Sequence, residues 1–322
     1  MKLAIVFPGQ GSQSVGMLDS FAQDESVAQV LRGASAALGE DLGRMIAEGP
    51  AAELERTVNT QPCMLAASVA MFRAWCAAGG PQPQILAGHS LGEYAALVAA
   101  GALRLEDAVP LVRLRAQAMQ DAVPLGTSGM AAILGLDDEA VRGACRRAQD
   151  ELRAADPAAP PAVVEAVNFN APSQVVIAGH RAALMRACEI ARELGAKRAL
   201  PLPVSVAFHS SLLEPASRRL RERLQQVAVA APAIPVVNNI DVREEQEPAA
   251  IRDALARQVA GPVRWTEVVA HLAARGVTHI VECGPGKVLS GLNKRIAPSL
   301  TSLSVSDRAS LHEVLAALGA AA

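Results

Sequence analysis

A serine between two glycines is the first feature of this sequence that could do chemistry. Residues 88–92 read Gly-His-Ser-Leu-Gly and fit the pattern G-x-S-x-G. The apolar run QILAG leads into the pattern and the run EYAALVAA follows it, which predicts a turn from a strand into a helix. Such a turn holds the serine hydroxyl beside free N–H groups of the helix. Ser90 is therefore predicted to be a nucleophile, with a small structural turn residue as the alternative.

A serine nucleophile needs a base, and the chain has six histidines. His89 adjoins Ser90, and because adjacent side chains point apart in such a turn, we expect it to support the turn. His209 ends the predicted strand LPVSVAFHS, where the chain leaves a small unit and re-enters a larger one. A polar residue there could face a cleft between the units, but a neighbour of a helix N-cap is an equally good interpretation. From the residues alone, both interpretations of His209 stay open.

No acid completes a catalytic triad in an obvious way. Asp107, Asp121 and Asp137 lie between the serine and His209, but they fall in predicted helix caps or at helix ends. The pattern therefore favours a dyad, whose imidazole is oriented by a group other than a carboxylate.

The elements that must position Ser90 alternate between short apolar strands and helices. KLAIVF, QILAGHS, AIPVVNN and THIVECGPG are predicted as buried strands, and a Gly-rich turn, PGQGSQ, follows the first of them. Alternation of this kind predicts an α/β fold with a mostly parallel sheet that is covered by helices on both faces.

A second unit is predicted within the first. Residues 126–200 read as strand, helix, strand, strand, helix and strand, the βαββαβ order of a ferredoxin-like domain. The predicted organisation is a large α/β-hydrolase-like domain over 1–125 and 201–322, into which the small ferredoxin-like domain, 126–200, is inserted. The final run LAALGAAA is predicted to end a helix.

Composition excludes several classes of function. A net charge of -2 and an aromatic content of 2% argue against nucleic-acid binding. No run of 18 apolar residues predicts a membrane span, and the first apolar run is too short for a signal peptide. The five cysteines form no CxxC pair, so we expect no metal site and a location in the reducing cytoplasm.

With these residues in view, the whole chain resembles the malonyl-CoA:acyl-carrier-protein transacylases of fatty acid synthesis, an acyltransferase family also found in polyketide synthases. The similarity is far more specific than any one motif. It is carried by FPGQGSQ (7–13), NTQP (59–62), GHSLGEYAAL (88–97), RLRAQAMQDAVPLGTSGMAAILGL (113–136), VNFNAPSQVVIAG (167–179), LPVSVAFHSSLLEPA (202–216), LARQVAGPVRWTE (255–267) and VECGPGKVLSGL (281–292).

The resemblance implies a role for each matching catalytic residue. Ser90 matches the acylated nucleophile, and His209 matches its base. Gln258 matches the residue that orients the histidine, in place of the missing acid. Gln10 and Leu91 match the two residues whose backbone N–H groups form the oxyanion hole.

Three more matches concern the acyl group. Arg115 matches the arginine that holds the free malonyl carboxylate, and a planar guanidinium can bind a carboxylate through two parallel hydrogen bonds. Met119, one turn later, would line the acyl pocket. Phe208 precedes the base; in relatives that select the acyl group, phenylalanine here accompanies malonyl and serine accompanies methylmalonyl, because a ring crowds a branched α-carbon.

The implied function is a two-step transfer of malonyl from malonyl-CoA to the phosphopantetheine thiol of acyl carrier protein, through malonyl-Ser90. Coenzyme A thioester is a substrate, no bound cofactor or metal is expected, and a monomer is expected. Segments 186–198 and 287–295 are candidate contacts for the acidic carrier. The alternatives are the acyltransferase subunit of a malonate decarboxylase and a serine acyl hydrolase or thioesterase.

Overall fold

The computed structural model describes residues 1–204 and 206–319 of the chain. Its strands are β1 (Leu3–Phe7), β2 (Ile85–Gly88), β3 (Ser128–Leu134), β4 (Val164–Ala171), β5 (Gln174–His180), β6 (Arg198–Pro201), β7 (Val236–Val237), β8 (His279–Cys283) and β9 (Thr301–Val305). Its helices are α1 (Glu25–Leu38), α2 (Leu42–Glu48), α3 (Ala51–Leu54), α4 (Thr57–Ala77), α5 (Gly92–Ala99), α6 (Leu105–Asp121), α7 (Asp138–Ala155), α8 (Arg181–Glu193), α9 (Glu214–Leu224), α10 (Pro248–Gln258), α11 (Trp265–Ala274), α12 (Val288–Ile296) and α13 (Arg308–Ala317). Of the predicted LAALGAAA helix end, residues 320–322 lie outside the described residues.

Five strands form a parallel sheet in the order β7-β2-β1-β8-β9. Every residue of β1 and β2 is buried. Alternate residues of β1 enter different cores: Ile5 and Phe7 pack in one buried cluster, and Ala4 and Val6 pack in another. Because successive side chains of a strand point to opposite faces, the two clusters lie on the two faces of the sheet. The prediction of a mostly parallel sheet covered on both faces is confirmed.

The other four strands form a separate antiparallel sheet in the order β4-β5-β3-β6. Helices α7 and α8 pack against this sheet and share a buried cluster with it. Met130 and Val176 belong to a second, smaller cluster, which includes Ala207 from the chain that follows. The antiparallel sheet therefore has a helix-covered face and a face turned toward the larger part of the molecule.

The predicted strand LPVSVAFHS is not a strand, so this part of the sequence prediction is wrong. β6 ends at Pro201, and the described residues from Leu202 to His209 form bends and turns; Ser205 is not described. Pro201 and Pro203 lack the N–H group that a strand must donate to its neighbour, which ends the ladder. The predicted strand AIPVVNN is likewise reduced to the two residues of β7.

Two backbone hydrogen bonds join β4 to the larger part of the molecule. Val263 donates its N–H to the oxygen of Val167, 2.8 Å away, and accepts from the N–H of Phe169 at 2.9 Å. This pairing holds the end of β4 against the segment between α10 and α11.

Candidate active site

Ser90 lies in a sharp turn between β2 and α5, and its φ of +52° is unusual for a residue with a side chain. A Cβ atom on Gly88 would lie 2.0 Å from the carbonyl carbon of Gly92, and one on Gly92 would lie 2.1 Å from the oxygen of Phe7. Only glycine fits at either position. The two glycines let strand and helix approach closely enough to hold Ser90 in this strained conformation.

His209 lies next to Ser90 although 119 residues separate them along the chain. Its Nε2 atom is 2.7 Å from Ser90 Oγ, and its Nδ1 atom is 2.8 Å from the backbone oxygen of Gln258. Because a carbonyl oxygen can only accept, Nδ1 carries the ring hydrogen. Nε2 is then free to accept the hydroxyl hydrogen of Ser90, as a general base does.

Gln258 therefore contacts the histidine through its backbone and not through its side chain. The Gln258 amide instead lies behind the nucleophile, where Nε2 donates to the backbone oxygen of Ser90 at 3.1 Å and to Glu93 Oε2 at 2.9 Å. Its Oε1 atom accepts from Arg115 Nη2 at 3.0 Å. One residue thus supplies the acceptor for the imidazole and, separately, a partner for the arginine.

Arg115 is buried, with 2% of its surface exposed, and points its guanidinium at the nucleophile. Nη2 lies 3.2 Å from Ser90 Oγ, and Nη1 donates to Gln61 Oε1 at 2.8 Å. Nε has no hydrogen-bond partner among the described residues. Arg115 also lines the cavity over Ser90, where its guanidinium could bind an incoming anion.

Two backbone N–H groups near Ser90 could serve a developing oxyanion. Neither Gln10 nor Leu91 donates its backbone N–H within the described part of the chain. The N–H of Ser90 is already used, since it donates to Asn239 Oδ1 at 2.6 Å. Leu91 follows Ser90 in its turn, Gln10 lies in the turn after β1, and both line the cavity described next.

A cavity of about 490 Å³ opens over Ser90, between the two sheets. Met119 and Phe208 line it, as do Met130 and Val176 from the free face of the antiparallel sheet. Phe208 packs against the buried clusters of both parts of the molecule. All eight residues singled out from the sequence contribute to this region: seven line the cavity, and Gln258 lies directly behind it.

Burial sets the charge states of the site. It lowers the pKa of His209 to about 3, and the nearby positive charge of Arg115 acts in the same direction. The imidazole is therefore neutral near pH 7, as a base must be. Burial also raises the pKa of Glu93 to about 7, against hydrogen bonds from Asn239 and Gln258 that lower it.

Three polar side chains of the site carry no sequence signal of their own. Gln61 lies within the NTQP run, and Glu93 within the GHSLGEYAAL run, but neither spacing reveals a partner. Asn239 accepts from Ser90 and donates through Nδ2 to the oxygen of Gly88 at 2.7 Å. Contacts over such long stretches of chain are visible only in the folded molecule.

His89 turns away from the cavity's reacting atoms. Its Nε2 atom lies 2.9 Å from Asn170 Oδ1, and its ring packs 5.6 Å from the ring of Trp265, centre to centre. It thus ties the serine turn to β4 and α11, in line with the supporting position expected for it.

Across the residues that the structure describes, no group of three histidines, cysteines or acids is arranged to hold a metal ion. In the same residues, no helix combines the length and the apolar character that crossing a membrane requires.

Comparison with known proteins matches residues 4–304 to the acyl transferase domain family. A malonyl CoA-acyl carrier protein transacylase of Salmonella typhimurium is 51% identical over 315 residues, which cover 98% of this chain and 99% of the relative. The crystal structure of an acyl-carrier-protein S-malonyltransferase from Burkholderia pseudomallei superposes with a TM-score of 0.94 at 64% identity, covering 98% of this chain and all of that one. A malonyl-transacylase solved in complex with a type II polyketide synthase acyl-carrier protein is also similar, with a TM-score of 0.93, 47% identity and coverage of 98% and 100%.

Proposed function

Because the chain belongs to the acyl transferase domain family, we propose that it transfers the malonyl group of malonyl-CoA to the phosphopantetheine thiol of acyl carrier protein, for fatty acid synthesis. The observation that carries this proposal is the position of Arg115, whose buried guanidinium lies 3.2 Å from Ser90 Oγ. A buried cation beside the acylated hydroxyl favours an acyl group that brings its own carboxylate.

In the first half-reaction, Ser90 Oγ attacks the thioester carbon of malonyl-CoA while Nε2 of His209 takes the hydroxyl proton. The free malonyl carboxylate binds Arg115 through two parallel hydrogen bonds. The N–H groups of Gln10 and Leu91 stabilise the tetrahedral oxyanion, by about 3 to 4 kcal/mol per donor in comparable sites. When the intermediate collapses, the C–S bond breaks and coenzyme A leaves as a thiol with the proton from the imidazole.

In the second half-reaction, the phosphopantetheine thiol of the carrier replaces coenzyme A. His209 takes the thiol proton, the sulfur attacks the malonyl ester, and the proton returns to Ser90 Oγ as the ester bond breaks. Both steps exchange one acyl bond for another, and neither changes an oxidation state. The proposed chemistry therefore balances without a bound cofactor, and coenzyme A takes part only as a thioester substrate.

Two cavity residues are proposed to shape the acyl pocket. Met119 is fully buried one turn beyond Arg115, and its sulfur lies 3.8 Å from Gln61 Nε2. Phe208 reaches the cavity beside His209. Its ring would crowd a branch at the α-carbon, which favours malonyl over methylmalonyl.

The rival activities make different demands on this site. A thioesterase for fatty acyl chains would place apolar side chains where Arg115 lies, because an unpaired buried cation disfavours an apolar substrate. The subunit of a malonate decarboxylase would use the same chemistry with another carrier. The relatives named above are transacylases that act with acyl carrier protein, so neither alternative is favoured.

Both candidate contacts for the carrier contain exposed basic side chains without an ion pair to a described residue: Lys197 and Arg198 in the segment 186–198, and Lys294 and Arg295 in α12. In the segment 186–198, however, Arg186 is paired with three acids, Glu151, Glu189 and Glu193, which place negative charge beside that surface. Arg295 also donates to the oxygen of Pro172 at 2.8 Å, two residues from Asn170 in the cavity wall. We therefore propose α12 as the contact for an acidic carrier.

The finer organisation of the chain is also a proposal. The strand order of the antiparallel sheet and its two helices support a ferredoxin-like domain over 126–200, inserted between 1–125 and 201–322. The serine turn after β2 supports the hydrolase-like description of the larger domain. A cytoplasmic location and a monomeric state are proposed as well; sedimentation of the purified protein tests the latter.

The experiment that tests the function follows labelled malonyl from malonyl-CoA to purified acyl carrier protein, with free malonate counted in the same reaction. We expect labelled carrier in excess over malonate, and neither product with Ser90→Ala. Release of malonate without labelled carrier would instead identify a hydrolase.

A further inference from the structure

A buried carboxylate lies on the far side of the Gln258 amide from Arg115. Glu93 is 2% exposed in the first turn of α5, three residues after the nucleophile. Its Oε2 atom accepts from Gln258 Nε2 at 2.9 Å, while Gln258 Oε1 accepts from Arg115 Nη2 at 3.0 Å. Hydrogen bonds therefore connect the carboxylate, the amide and the guanidinium in that order.

The chemistry of the two ends fixes the amide between them. A guanidinium can only donate hydrogen bonds, so the side-chain oxygen of Gln258 must face Arg115. The NH₂ group of Gln258 then faces Glu93, whose Oε2 atom also accepts from the backbone N–H of Asn239. We propose that Glu93 is a positioning residue that fixes the Gln258 amide and thereby holds Arg115 in place for the malonyl carboxylate, an inference that rests on the proposed function.

Glu93 is itself held firmly enough to act in this way. Asn239 donates its backbone N–H to Glu93 Oε2 at 2.8 Å, and the Asn239 side chain bonds Ser90 and Gly88 in the serine turn. The carboxylate is thus tied to the same turn that presents the nucleophile. A shift of Glu93 would have to break these bonds, so its distance from Ser90 is set by the fold.

Electrostatics favours the same arrangement. Burial lowers the pKa of Arg115, and the fields of Tyr94 and Glu93 act in the opposite direction. The centre of the Tyr94 ring lies 5.5 Å from the guanidinium carbon, whereas Glu93 contributes a carboxylate. The guanidinium itself contacts only neutral acceptors, so the negative charge of Glu93, one amide away, favours the buried cation through its field.

Glu93→Gln tests the inference with little change of shape. A glutamine at 93 can donate as well as accept, so the Gln258 amide gains a second orientation in which its NH₂ group faces the donors of Arg115. We expect KM for malonyl-CoA in Ser90 acylation to rise about fivefold, the effect of one lost hydrogen bond. Acylation by acetyl-CoA, which brings no carboxylate to Arg115, should stay within about twofold of wild type.

Glu282→Gln is the matched control. Glu282 is a buried carboxylate that accepts from the backbone N–H groups of Leu289 and Ser290, and it contacts neither Gln258 nor Arg115. Its substitution should leave KM for malonyl-CoA in the acylation step unchanged. A purely structural effect of losing a buried acid would appear in both variants, and with both thioesters.

A double-mutant cycle tests whether Glu93 acts through Arg115. In an Arg115→Ala background, Glu93→Gln should change malonyl acylation by less than about twofold, because the group it positions is gone. Full additivity of the two losses would overturn the inference. So would an unchanged KM for malonyl-CoA in Glu93→Gln, or equal losses with malonyl-CoA and acetyl-CoA.

Gln258→Met keeps the inference testable if Glu93→Gln does not fold. Methionine is close to glutamine in size but breaks the connection from the other side, and the backbone oxygen that holds His209 remains. KM for malonyl-CoA should rise by a larger factor than KM for acetyl-CoA, and equal changes with the two thioesters would contradict the inference. A wild-type protein that forms no malonyl adduct would count against the proposed function itself, which separates the two failures.

Discussion

Nη2 of Arg115 lies 3.2 Å from Oγ of Ser90, and 25 residues of chain separate the two. The guanidinium is in place before any substrate arrives, held by the side-chain oxygens of Gln61 and Gln258. An incoming carboxylate therefore meets a cation whose orientation is already fixed, so little side-chain freedom remains to be lost on binding. The proposed function therefore assigns selection of the acyl group and its attachment to the same two neighbouring side chains.

Arg115→Ala should lower kcat/KM for malonyl-CoA by about 100-fold or more, since a buried charge pair with the substrate is lost. Arg115→Lys should recover only part of this loss, because an ammonium group cannot form two parallel hydrogen bonds with a carboxylate. Acetyl-CoA should be affected far less by either change. Stopped reactions with malonyl-CoA and with acetyl-CoA measure the ratio of the two kcat/KM values. Equal losses of kcat/KM with both thioesters would show that Arg115 does not bind the carboxylate.

Gly88→Ala should destabilise the fold by at least about 3 kcal/mol, because the new Cβ would lie 2.0 Å from backbone atoms of Gly92. Gly143→Ala in α7 is the control: its nearest atom would be 3.9 Å away, and alanine favours a helix by about 0.5 to 1 kcal/mol. Denaturant unfolding compares the two. A Gly88→Ala protein as stable as wild type would mean that the serine turn is not tightly packed.

The rate of Ser90 acylation should not fall near pH 6.5 through protonation of His209. Its pKa is lowered from 6.5 to about 3, so the imidazole stays unprotonated between pH 5 and 8. Stability should respond in a known direction: the unfolded chain takes up a proton below pH 6.5 that the folded chain does not, so this group destabilises the fold as pH falls toward 3. A pH–rate profile from 5 to 8 checks the first point, and a limb centred on 6.5 would refute it.

Lys294→Glu should raise KM for acyl carrier protein about fivefold at low ionic strength, if α12 receives an acidic carrier. Acylation of Ser90 by malonyl-CoA should not change, because the carrier takes no part in it. Arg153→Glu is a matched control: Arg153 is exposed near the end of α7, and it too forms no ion pair with a described residue. Added salt should narrow the difference between Lys294→Glu and wild type. Equal effects of the two charge reversals on KM for acyl carrier protein would show that the carrier does not bind at α12.

The turn that holds Ser90 could be predicted from the sequence because its geometry is local. Ser90 depends on the strand, the two glycines and the helix that adjoin it, and all of these lie within a few residues. His209 illustrates the opposite case. The strand expected to carry it does not exist, because Pro201 and Pro203 end the ladder, and the histidine reaches Ser90 from a turn with a φ of +65°.

Gln258 could be identified from the sequence, but its contacts could not. The match to the family identifies the residue, but its contacts are divided between its backbone and its side chain, and only the folded structure shows which group makes which contact. Glu93 stands inside the most distinctive motif of the chain, yet its partners are 146 and 165 residues away. Spacing along a chain does not report such distances.

By itself, the sequence determined the parallel sheet, the serine turn and the family, since hydrophobic alternation, glycine at fixed positions and shared motifs are properties of neighbouring residues. The tertiary structure alone decided which atom of each polar residue faces which partner. It brought the backbone oxygen of Gln258 within hydrogen-bond distance of the His209 imidazole and placed the Gln258 side-chain amide between Glu93 and Arg115. It also brought the Arg115 guanidinium next to Ser90. The reason is physical: hydrogen bonds depend on distances of a few tenths of an ångström and on which group donates, and packing sets both only after distant segments have met.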